Sequence, residues 1–199
     1  DEALFIPTEH DTSKEQEYTP KVAGEYLGHI TDARTITREF TRDGKLLKAR
    51  IFNYKVRVAR ENDRMKYTIT NQNGEQREVT GEHYIDWSIV GDGVFRFLEP
   101  SHEDNFQSHA EGNKKYLMFC ESLGMEIKTE ERTVNGKTVK VQVLPDLTEK
   151  DINGSPVIAV VGRGQDWVND EGQTRPSWRC KFTKHWESGK RLATVDLPF

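Results

Sequence analysis

Cysteine is scarce, and the two that occur, Cys120 and Cys180, share no C-x-x-C spacing. That excludes a disulfide-stapled mini-domain and a zinc ribbon, and leaves two core thiols in a reducing compartment as the expectation. Long apolar runs are missing too. Nothing approaches the roughly 18 to 20 apolar residues of a membrane-spanning helix, and no signal-peptide core is visible. A chain that starts at Asp1 rather than Met is expected to be processed or incomplete, so the missing leader excludes little. Catalytic signatures are also lacking. Val161-Gly162-Arg163-Gly164 does not have the spacing of a P-loop, and no G-x-S-x-G elbow occurs. His102 and His109 stand seven apart rather than at the i, i+4 spacing that suits a metal, and Asp166, Asp170 and Glu171 have no EF-hand spacing. The expectation is a non-enzyme with no cofactor and no metal.

Net charge is small, −4, but unevenly placed. Residues 1–20 hold six acidic groups and one Lys, a balance of −5. The remaining residues hold 28 basic and 27 acidic groups, so attraction to an anionic partner must come from a local patch. The acidic stretch 1–20 lacks a hydrophobic period and reads as a flexible arm. Residues 21–195 read as one domain, and 196–199 as a terminal tip.

Within the domain, strand period dominates. Val22, Gly24, Tyr26, Gly28 and Ile30 alternate with other residues, and the two glycines suggest a coiled or bent strand. Residues 45–60 follow the Asp43-Gly44 turn with Phe52, Tyr54, Val56 and Val58 on one face. Tyr84 to Val90 and Val94 to Phe97 read as a third strand, broken at Gly91–Gly93. Ser101 to Gly124 is the one strong amphipathic helix, with Gly124 placed as its left-handed cap. Pro156 to Val161 is a strand apolar enough to be buried on both faces, and Trp178 to Trp186 is the last strand. Two polar hairpins, 64–80 and 125–143, turn at Asn73-Gly74 and Asn135-Gly136 and read as insertions off the core. Residues 145–155 read as loop. The order is strand, strand, strand, helix, strand, strand. A mainly β fold of the OB type is expected, a five-stranded barrel with one helix between strands 3 and 4 plus extra hairpins. A β-sandwich carrying one helix is the second choice.

Two stretches combine cations with flat side chains, the pairing that phosphates and bases require. Residues 45–60 carry six basic residues and no acidic one, and 175–191 carry six against Glu187. Lys48, Arg50, Lys55, Arg57, Arg179, Lys181 and Lys184 are the expected phosphate contacts. Tyr54, Trp178 and Trp186 are the expected stacking rings, with Trp167 a further choice. The bland reading is that the aromatics are core and the cations merely solvated.

The chain closes on Asp196-Leu197-Pro198-Phe199, which resembles the acidic, Pro-Phe-terminated tip of bacterial single-stranded-DNA-binding proteins. It departs from them in having one acidic residue and no long acidic linker. Ala23-Gly24-Glu25-Tyr26, the helix ending in Leu123-Gly124, and Asn153-Gly154-Ser155-Pro156-Val157 before a buried strand resemble a phage-encoded family of single-stranded-DNA-binding proteins. The resemblance spans roughly residues 20–190 and its motifs are short. It implies binding of single-stranded DNA in phage replication or recombination. A phage source implies location in the host cytoplasm, and the tip's likeness to the bacterial proteins implies recruitment of replication proteins through Asp196 and Phe199. The hairpins 64–80 and 125–143 are expected to clamp the strand or to build a homo-oligomer interface. Two other classes stay open: a virion-type assembly protein that docks through its hairpins, and a small carbohydrate- or ligand-binding β-domain using exposed Trp residues.

Overall fold

The first strand, β1 (Gly24–Arg42), is long because it serves two neighbours. Its first six residues pair antiparallel with β9 (Pro156–Arg163), and from Gly28 onward it pairs with β2 (Lys45–Val58). A bulge between Thr31 and Arg34, with Asp32 at positive φ, bends it between the two tasks. The structure is a computed structural model and describes residues 19–42, 44–71, 73–98 and 113–193. The arm before residue 19, the first part of the expected helix with His102 and His109, and the tip lie outside the described residues.

The remaining elements are β3 (Lys66–Thr70), β4 (Gln76–Thr80), β5 (Ser88–Gly91), β6 (Val94–Phe97) and α1 (Lys114–Ser122). They are followed by β7 (Thr129–Val134), β8 (Lys137–Gln142), α2 (Glu149–Ile152), β10 (Trp167–Val168), β11 (Thr174–Arg175) and β12 (Trp178–His185). The fold is mainly β. Five strands are joined by five ladders, β1 with β2 and β9, β9 with β12, β12 with β5, and β5 with β2. All of these ladders are antiparallel except β12–β5, which is parallel. β6 continues from β5 but pairs only with β2.

These strands supply much of the core. Ile30, Phe52, Tyr54, Val56, Val157, Ala159, Val161 and Cys180 are buried there against Tyr116, Phe119 and Cys120 of α1. The space is tight. A side chain at Gly91 would stand 2.6 Å from the Tyr54 ring, so only glycine lets β5 cross it. Gly124 ends α1 as expected. Its N–H donates to Glu121 O (2.9 Å) and the Met125 N–H to Cys120 O (3.2 Å), at a φ of +83°.

Four expectations need correction. The third strand starts later than expected, because Gly81–Tyr84 is a 3₁₀ turn and β5 begins at Ser88. The hairpin β3–β4 is not an arm off the core: Tyr67, Ile69 and Val79 are buried in it, and Tyr67 stacks on Tyr26 at 4.5 Å. Residues 145–155 are not plain loop. Thr148 and Asp151 form a reciprocal capping box that starts α2, burying Ile152. Glu149 and Asn153 then accept from the Thr35 and Ala33 N–H groups at the β1 bulge (2.9 and 2.8 Å). The outer face of β9 is half-buried rather than buried, while Val157, Ala159 and Val161 face inward. The β7–β8 hairpin does stand off, with most of its residues exposed.

Cys120 and Cys180 are buried and unpaired, and burial pushes both thiols up to about 11. The thiolate is the reactive form. Neither cysteine is expected to react with an aromatic disulfide reagent at pH 8 in the native protein, and both are expected to react after denaturation. Prompt titration of a native thiol contradicts this packing.

Candidate functional site

The two basic stretches lie far apart in sequence, and β5 brings them together. Lys55 of β2 stands opposite Val90 of β5, and Val90 stands opposite Arg179 of β12. Residues directly opposite across a ladder share a face, so Lys55 and Arg179 project outward on either side of Val90, roughly 10 Å apart. Arg57, two residues along from Lys55, shares that face opposite Ser88. Val90 between them is 41% exposed.

Each of these cations already has a carboxylate. Arg179 Nε lies 3.1 Å from Asp92 Oδ1, and its guanidinium also donates to the Gly91 carbonyl at 2.9 Å. Lys181 Nζ lies 3.2 Å from the other oxygen of Asp92. Lys55 meets Asp32 at 3.2 Å and Arg57 meets Asp86 at 3.0 Å. Hydrogen bonds from Lys55 and Arg34 hold the Asp32 carboxyl below the usual range. The paired side chains are all more than a third exposed. Exposed pairs of this kind contribute little, so an incoming anion can replace the carboxylate at small cost.

The structure separates the other expected contacts from this face. In unbulged β2, Lys48 and Arg50 have the parity of Phe52 and Tyr54, not of Lys55 and Arg57. Arg50 stands opposite Arg96, and both reach Asp146, at 3.2 and 2.6 Å. Lys48 lies 3.9 Å from Glu39. Lys184 pairs with Glu25 toward the β9–β1 side. Two of the expected stacking rings are core. Tyr54 is 4% exposed, stacks on Phe119 at 5.3 Å, and sets its hydroxyl 3.8 Å from Cys180 Sγ. Trp186 is 5% exposed, packed with Leu27 and Ala59, and its Nε1–H donates to Ser188 Oγ. Trp178 is half-buried, with the Arg163 guanidinium 5.4 Å above its ring. Trp167 is exposed on the small β10–β11 hairpin. Asp196 and Phe199 lie outside the described residues.

Sequence reasoning missed a cleft. After Gly91 and Cys180 the parallel β5–β12 pairing ends, β6 follows β2, and β12 follows β9. α1 packs against both β6 and β12. A cleft of about 860 Å³ opens between the three elements. Phe95 from β6, Phe182 from β12 and Met118 from α1 line it, with 39, 45 and 48% of their surface exposed. Phe40 and Phe97 also face it, their rings 6.1 Å apart. Among the described residues Lys115, Lys181 and Asp92 are its charged ones. Part of this was open to inspection, since Val94-Phe95-Arg96-Phe97 sets both Phe rings on one strand face. Phe182 had no such signal. A bulge between Cys180 and Phe182 turns it outward, where plain alternation from Cys180 points it inward.

Among the described residues no group of three or more His, Cys, Asp or Glu side chains is placed to hold a metal ion, and no helix is long and apolar enough to cross a membrane. No family model matches the chain, and neither a curated protein nor a solved structure matches it.

Proposed function

We propose that this chain is a non-enzymatic OB-like barrel that binds single-stranded DNA with little sequence preference. The ring of pairings β1–β2–β5–β12–β9, with a parallel step between β5 and β12 and a helix between β5/β6 and β9, supports the barrel reading. The observation that carries the binding reading is the register that sets Lys55 and Arg57 on one side of β5 and Arg179 on the other. Phosphates displace Asp32, Asp86 and Asp92 from these cations, and the counterions released from the strand drive association.

Anisotropy of a labelled oligo-dT of about 30 nucleotides, titrated at low and moderate salt beside a duplex of equal length, tests the reading. The expected result is preference for the single strand, with affinity falling in log–log slope by about 0.7 per phosphate bound. Absence of binding at low salt, or equal binding to duplex, sinks it. An assembly protein is the second reading. The observation favouring it is the β7–β8 hairpin, most of whose side chains are exposed, as in an arm that reaches a neighbour. Concentration-dependent sedimentation without DNA binding is the result it requires.

A further inference from the structure

The cleft between β6, β12 and α1 is more than a gap in packing. Large apolar side chains left singly on a surface need no explanation, but three on the walls of one cleft do. Phe95, Phe182 and Met118 come from three different elements and are each more than a third exposed toward solvent. The volume, about 860 Å³, is in the range that holds organic ligands. The charge around it selects among them. Lys181 on the β12 wall and Lys115 on α1 bring positive charge from two sides. Among the described residues its one carboxylate is Asp92, which already meets Arg179 and Lys181. An occupant with a flat apolar body flanked by negative charges fits this arrangement, and a nucleotide within a strand has that form.

We infer that the cleft is a base slot: one base of a bound strand leaves its stack and enters between Phe95 and Phe182, while the phosphates beside it meet Lys181 and Lys115. The inference rests on the single-strand reading and adds to it, because the cations flanking Val90 hold phosphates only. Aromatic and thioether side chains accept any base face, so the slot favours the presence of a base rather than its identity.

The test compares two labelled strands of equal length, oligo-dT and an abasic strand with the same number of phosphates, against the full chain. The wild-type protein is expected to bind oligo-dT about tenfold tighter than the abasic strand or better. Phe182→Ala is expected to weaken oligo-dT binding on the order of 5- to 100-fold and to hold the abasic strand as before. Met118→Ala, a shortening of an exposed helix residue, checks the same wall without touching β12 and is expected to act in the same direction. Far-UV circular dichroism confirms that each variant is folded. Equal affinity of the wild-type protein for both strands overturns the slot while leaving the single-strand reading intact. So does a Phe182→Ala variant that keeps the wild-type affinity for oligo-dT, as expected if the cleft takes an apolar segment of a protein, or one that loses affinity equally for both strands. Absence of binding to either strand at low salt removes the single-strand reading and the slot with it.

Discussion

Reversing the charge at Arg179 and Lys55 together, Arg179→Glu with Lys55→Glu, is expected to weaken oligo-dT binding by about 100-fold at low salt. Each substitution takes away one cation that holds a phosphate and sets a like charge in its place, and each alone is expected to give about tenfold. The log–log salt slope is expected to fall by about 0.7 for each phosphate no longer held. The two effects should multiply, because the side chains stand across Val90 from each other and have different carboxylate partners, Asp92 and Asp32. Both side chains are half-buried and each reversal sets a Glu beside the carboxylate that the cation had met, Asp92 or Asp32, so urea unfolding checks that each variant is folded before its affinity is read. Lys184→Glu supplies the control, because Lys184 pairs with Glu25 away from this face and its reversal should change affinity much less. If Lys184→Glu or Arg50→Glu matters more than the pair, the strand runs over another face.

Asn62→Ala is expected to be the most damaging single substitution for stability among the polar residues described. Asn62 is fully buried in the 3₁₀ turn Arg60–Arg64 that precedes β3. Its Oδ1 accepts from the Leu27 N–H of β1 at 2.9 Å and from the Tyr67 hydroxyl of β3 at 3.1 Å. Its Nδ2 donates to the Gly81 carbonyl after β4, at 3.1 Å. One amide thus ties both ends of the β3–β4 hairpin to β1. Alanine leaves the Leu27 N–H and the Gly81 carbonyl buried without their partner, at about 1–3 kcal/mol each. The expected loss is about 3 kcal/mol or more, large against a total of about 5–15 kcal/mol. Urea unfolding should show a lower midpoint with an unchanged slope. A loss under about 1 kcal/mol shows that water or backbone movement takes over the bonds. This amide is also the reason the hairpin belongs to the core. The polar outward residues of Lys66–Thr80 are plain in the sequence, whereas the face that Tyr67, Ile69 and Val79 turn inward is recognisable only once Asn62 holds it against β1.

Local chemistry accounts for what could be read early. Gly124 ends α1 because a left-handed residue is needed there, and Asn135-Gly136 turns a hairpin because both residues take positive φ. Alternation located β2, β9 and β12 nearly to their observed ends and the first part of β1, and the T-x-x-D box at Thr148 was there to be used for α2. These signals depend on near neighbours in the chain, so the sequence by itself determined a mainly β chain, its turns, the helix α1 and its two basic strands. Tertiary structure alone decided which cations share a face, since that depends on the parallel pairing of Arg179 with Val90 and the antiparallel pairing of Lys55 with the same residue. It decided that Tyr54 and Trp186 are core, that a bulge turns Phe182 outward, and that β6 and β12 part to form a cleft. The physical reason is the period of two. A one-residue shift in register or a single bulge exchanges the faces of a strand, and both are set by partners distant in sequence rather than by the strand's own residues.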